Sequence, residues 1–138
     1  MNVKRALPAH AMRHGVSPDV LNDRSFSETL DAAFEVHKAL GPGHAQLTYK
    51  NALVVELRQR GRVVHKEPTF SVLFKQQVVG SYVADVLVDE RVLVKVAAEP
   101  TLTHDSKTDT LRGLVAGGVK VGVLFNFAAA DLFFARIL

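Results

Sequence analysis

From Val119 to Phe127 the chain reads Val-Lys-Val-Gly-Val-Leu-Phe-Asn-Phe, an almost unbroken apolar run. A strand with one wet face alternates apolar and polar residues, so a run without alternation belongs to a strand covered on both faces. Such a strand needs a sheet lying between other layers, and helices elsewhere in the chain must supply them.

Those helices are legible. Ser25-Phe26-Ser27-Glu28 has the spacing of a capping box, in which a Ser hydroxyl and a Glu carboxylate satisfy the free N–H groups of a first turn. Leu30, Phe34, His37 and the stretch Val36 to Leu40 continue as an apolar stripe, which Gly41-Pro42-Gly43 ends. A second helix is predicted from Gln46 to Arg60, with Leu47, Ala52, Leu53, Val54 and Leu57 as its buried side and Gly61 as its stop. A third is predicted over 104–116, capped by Thr103 and ended by Gly117-Gly118.

Between the second and third helices the chain is rich in β-branched residues. Strands are predicted at Arg62–His65, Thr69–Lys75, Val78–Val88 and Arg91–Ala97, separated by Pro68, Gln76-Gln77 and the two-residue connection Asp89-Glu90. After the apolar run, Leu132–Leu138 reads as a last strand. The order ααββββαββ gives a mixed sheet flanked by helices, in the α/β or α+β class.

A chain of 138 residues with 48% hydrophobic and 22% charged residues is expected to form one core. Residues 1–24 stand apart as an N-terminal arm of mixed Pro, Gly and basic residues, with a helical turn expected around Ala9–His14; residues 25–138 form the domain. No apolar run reaches the roughly 20 residues of a membrane span, and no apolar segment follows Lys4 and Arg5 as it would in a signal peptide, so a cytoplasmic location is expected. With no Cys, neither disulfides nor thiolate zinc sites can form. A net charge of +3 permits a nucleic-acid partner without requiring one. The densest basic cluster, Arg58, Arg60, Arg62 and Lys66, is the candidate contact, against the simpler reading of cations at a helix C-terminus. His10 and His14 share a helical spacing but lack a third ligand.

Three segments carry a family resemblance. Val36-His37-Lys38-Ala39-Leu40-Gly41-Pro42-Gly43, continuing to Tyr49, resembles the opening of the GxxExxY proteins of the PD-(D/E)XK nuclease-like superfamily. Tyr82-Val83-Ala84-Asp85-Val86-Leu87-Val88 with Val92-Leu93-Val94 is similar to that family's central hairpin, and Val119–Phe127 with Arg136-Ile137-Leu138 to its C-terminal strands. The resemblance implies a central mixed sheet flanked by helices and, in active members, a Mg²⁺ held by two carboxylates, beside a Lys that steadies the attacking water. A Glu from the second helix and a Gln from the third complete that cluster.

Few of those groups are present. Gly43 and Tyr49 match the family name, but Gln46 stands where its Glu belongs. Asp85 is kept, Lys95 replaces the second carboxylate, Ala97 replaces the Lys, and Asp109 falls where the third-helix Gln is expected. An ammonium about 4 Å from Mg²⁺ would cost several kcal/mol even at an effective dielectric near 20. An Asp85–Lys95 ion pair in place of the metal is therefore expected, with no catalytic residues and no cofactor. The alternative is a relocated site in which Asp85 and Glu99 bind Mg²⁺ and Lys95 is the catalytic Lys, giving weak nuclease activity. Pro100 argues against it by ending the strand at Glu99. His37 reads as a hydrogen-bonded core residue and His44 as a loop residue near the old pocket. Phe133 and Phe134, on the last strand, are candidate contacts for a homo-oligomer. A non-catalytic, self-assembling scaffold on a nuclease frame is the leading expectation; a nucleic-acid-binding module is the other.

Overall fold

The computed structural model describes residues 23–138. Readings that concern residues 1–22, including the helical turn at Ala9–His14 and the His10/His14 pair, lie outside the described residues.

Two helices lead the described residues, α1 (Arg24–Leu40) and α2 (Gln46–Gln59). The first is capped by Asp23, whose carboxylate accepts the Ser25 N–H, rather than by the predicted capping box. Ser25 lies inside the first turn and donates its hydroxyl to Asp89 Oδ2 at 2.6 Å. A distant carboxylate thus claims the side chain that local spacing assigns to the cap. Gly41, at φ 69, ends α1 where an L side chain would be strained.

Five strands follow: β1 (Val64–Lys66), β2 (Thr69–Phe74), β3 (Gln77–Val83), β4 (Val86–Val88) and β5 (Val92–Ala97). Then come α3 (His104–Gly117), β6 (Val121–Asn126) and β7 (Phe133–Ile137). The main sheet has the order β1-β4-β5-β6-β7. Only β5 and β6 run parallel, and α3 supplies the crossover that a parallel pair requires.

The sheet is covered on both sides, as the run at 119–127 requires. Val86, Val88, Val94, Val96, Val123 and Phe125 pack under α1 and α2. Leu87, Leu93, Ala97, Leu124 and Ile137 form a smaller core with Leu114 of α3. This alternation along β4, β5 and β6 decides which way every side chain of the site can point.

The predicted strand Val78–Val88 is two strands. It breaks at Ala84–Asp85, where the chain leaves a separate two-stranded sheet of β2 and β3 and enters the main sheet. Hydrogen bonds from Glu67 N to Asp85 O and from Ala84 N to Pro68 O carry the antiparallel ladder around this corner. Glu67 makes the bend with φ 55, an uncommon backbone state for a non-glycine residue. The β2–β3 hairpin then projects beyond the sheet, held at its base by Phe70 and Tyr82 against α3. A Cβ on Gly117 would come within 2.7 Å of the Phe70 ring, and one on Gly113 within 2.7 Å of Tyr82. Among the described residues no helix is long and apolar enough to cross a membrane.

Candidate functional site

The corner between the two sheets is where the carboxylates gather. Asp85 stands at the break before β4, with its side chain 12% exposed. Its Oδ2 accepts the Val96 N–H at 2.8 Å, tying it to β5. Its Oδ1 lies 3.0 Å from the ammonium of Lys50, and Gln46 Nε2 approaches the same oxygen at 3.5 Å while donating to Val96 O at 3.1 Å. Lys50 also meets Glu67 Oε2 at 3.0 Å, so one ammonium bridges the two carboxylates. Its side chain is only 8% exposed.

Burial alone would push the Lys50 charge off. The hydrogen bonds and attraction from Asp85 and Glu67 outweigh burial and hold its pKa above the ordinary 10.5. In turn the Lys50 hydrogen bond and charge keep the Glu67 carboxyl below its ordinary value.

Lys95 takes no part in this cluster, which corrects the expected Asp85–Lys95 pair. On β5 it shares a face with Leu93 and Ala97, both packed toward α3, whereas Asp85 turns toward α2. The Lys95 ammonium instead meets Asp109 Oδ2 of α3 at 3.0 Å. The Tyr82 hydroxyl donates to the same carboxylate at 3.0 Å and to the Asp109 carbonyl at 2.9 Å. Burial, then the Asp109 charge, push the Tyr82 phenol well above its ordinary 10.0. The sheet therefore separates two lysine-centred clusters, one on each face of β5. Ala97 is buried in the α3-side core and contributes no polar group.

A divalent cation does not fit this donor set. Both Asp85 oxygens are engaged, one by a backbone N–H and one by an ammonium standing where a bridging cation would sit. Glu99 lies beyond the end of β5, exposed, with its backbone clamped to the Asn126 side chain. Among the described residues no group of three or more His, Asp or Glu side chains stands where it could hold a metal ion.

A protein-family model matches residues 23–137, and its description is the PD-(D/E)XK nuclease superfamily. The chain belongs to that superfamily. A search of the curated proteins found no match. Among solved structures the PD-(D/E)XK chain is similar to an alkaline exonuclease (LHK-Exo) from Laribacter hongkongensis, at 11% identity and a TM-score of 0.48. The similarity covers 86% of this chain and 73% of that one.

Of the five positions read from the superfamily pattern, Gln46 and Asp85 meet on the α2 side and Lys95 and Asp109 on the α3 side. Sequence reasoning misses Lys50 and Glu67. A signal for Lys50 is present: Gln46, Tyr49, Lys50, Leu53 and Leu57 follow one helical stripe, so a lysine sits on the buried face and requires a buried anion. Glu67 gives no such signal, because a carboxylate before a proline at a strand end reads as a solvated turn.

The basic cluster is not a free cationic face. Arg58 donates to Val64 O at 3.0 Å, Arg60 bridges Glu28 and Glu56 at 3.0 and 2.8 Å, and Arg62 pairs with Asp89 at 3.2 Å. Lys66 is exposed on β1. The two phenylalanines of β7 also part company. Phe133 is 45% exposed, while Phe134 packs edge-on against Phe34 at 6.1 Å. His37 is buried, with Nε2 2.9 Å from Ala129 O, and His44 is exposed, with Nε2 3.2 Å from Leu40 O.

Proposed function

We propose that this protein is a non-catalytic member of the superfamily, of the GxxExxY type, whose metal centre is closed by its own lysine and which acts by self-association. The observation that carries the first part is the Lys50 ammonium, 3.0 Å from both Asp85 and Glu67. A metal-dependent centre needs those carboxylates free to share a cation, and here an internal cation shares them instead. The motif residues support the same reading. Tyr49 stacks on Phe127 at 4.6 Å and its oxygen accepts the His44 N–H at 3.1 Å. With Gln46 reaching β5, these contacts set the start of α2 so that Lys50 meets Asp85.

The decisive test is incubation with linear, plasmid and single-stranded nucleic acids in Mg²⁺ or Mn²⁺, with calorimetric titration of each ion. The expected result is no cleavage above that of Asp85→Ala and no ion binding. Cleavage that Asp85→Ala abolishes would overturn the reading.

Self-association is supported by apolar side chains left open on the described surface, among them Phe74 at 62%, Val78 at 68% and Val115 at 84%. Nucleic-acid binding has weaker support, because three of the four cluster cations are bonded within the chain. Solution mass measured over a hundredfold concentration range tests the assembly claim; a monomer throughout would remove it.

A further inference from the structure

The projecting hairpin and the groove at its foot form an apolar feature of the described surface that the fold leaves uncovered. Residues 71–80 are all exposed, including Leu73 at 60%, Phe74 at 62%, Val78 at 68% and Val79 at 62%. Between residues 69 and 83 the only charge is Lys75, and its ammonium lies over the Phe74 ring at 5.4 Å. Beside the hairpin, Val72, Tyr82, Leu111, Arg112 and Val115 line an apolar groove of about 600 Å³. Its helical wall carries Leu111 and Val115 one turn apart, 39% and 84% exposed.

We infer that this face is a homodimer interface, in which the hairpin tip of each copy enters the groove of the other. The inference deepens the self-association reading above and moves the contact from Phe133 and Phe134 to the hairpin. Three observations favour a second copy over another partner. One chain presents both a convex apolar tip and a concave apolar groove, so a two-fold axis satisfies both twice. The face holds two charges, Lys75 and Arg112, too few to track a nucleic-acid backbone, and its otherwise apolar character matches homodimer contacts. Tip and groove together leave seven large apolar side chains (Val72, Leu73, Phe74, Val78, Val79, Leu111 and Val115) more than a third exposed, apolar surface that a second copy would bury. A two-stranded sheet is also marginal alone and gains from further packing.

The test uses the full chain in sedimentation velocity, with Phe74→Asp at the tip and Val115→Lys in the groove. Both positions are exposed, and matching circular dichroism and melting curves will show that the variants fold. Wild type is expected to dimerise, and each variant to weaken the dimer tenfold or more. Mixing the two variants is expected to restore dimers, because one tip carboxylate then meets one groove ammonium while the reciprocal contact stays native. A monomeric wild type overturns both this inference and the self-association reading. A dimer untouched by both variants but lost in Phe133→Asp overturns only the hairpin inference. Dimers lost in both variants without recovery on mixing exclude reciprocal insertion.

Discussion

Lys50 carries its charge in a place where only the two carboxylates make that charge tolerable. A buried pair of this kind is energetically asymmetric. Intact, it can be nearly neutral for stability, whereas removing one partner strands the other. Lys50→Met leaves Asp85 facing a hydrophobe, so it is expected to cost roughly 2–4 kcal/mol in urea unfolding at neutral pH. Lys95→Ala breaks a pair whose side chains are 30% and 34% exposed, and it is expected to cost under about 1 kcal/mol. If Lys50 is what closes the centre, Lys50→Met should also melt at a higher temperature when Mn²⁺ is added, and wild type should not. Equal costs at the two lysines, or no Mn²⁺ response in Lys50→Met, would count against Lys50 as the closing group.

Elements are placed here by contacts that local sequence does not display. The turn carboxylate of Asp89 accepts from Ser25 Oγ, from Val63 N at 2.8 Å and from Arg62, so one residue joins α1, β1 and the β4–β5 turn. Asp89→Ala removes a charged acceptor from three donors and is expected to cost about 2–3 kcal/mol, readable as a lower urea midpoint at unchanged slope. Close approach of α3 to the hairpin depends on Gly113, where a Cβ would also lie 2.7 Å from Leu93 Cδ2. Gly113→Ala gains up to about 1 kcal/mol of helix propensity and loses roughly 1–3 kcal/mol to overpacking, so net destabilisation is expected. Thermal melting of that variant checks the sign. The helices and the doubly covered β6 are legible in the sequence because periodicity and glycine stops are local. The break at Ala84–Asp85 is only faintly signalled, by two residues of low strand propensity within a run of β-branched ones, and the ladder around it is completed by Glu67 and Pro68 on a partner segment. For the same reason Asp85 and the buried-face Lys50 can each be found from sequence, but not that the two meet. Strand spacing places Lys95 next to Asp85, but only the layer packing shows that the two side chains leave β5 and the corner on opposite faces.

At the scale of the whole molecule these charge clusters predict the pH range over which the fold persists. Burial would raise Asp23 and Asp89, but hydrogen bonds from Arg91 and Ser25 to Asp23, and from Ser25, Val63 and Arg62 to Asp89, outweigh it, and both lie below the ordinary 3.8. A depressed carboxyl contributes stability above its unfolded pKa and loses it as pH falls through the folded one. Lys50, held above 10.5, contributes below that value and loses its contribution as pH rises through its folded pKa. Urea midpoints should therefore be flat between about pH 5 and 9 and fall on both sides. Asp89→Asn keeps the shape of the turn and removes one titrating group, so its midpoint should be lower at neutral pH and decline less on acidification. Lys50→Met should likewise flatten the alkaline limb. Because the two clusters sit in separate parts of the fold and share no partner, the double variant should show both changes added together. An acid limb as steep in Asp89→Asn as in wild type would place the acid sensitivity in other carboxylates and leave the Asp89 junction without its predicted weight.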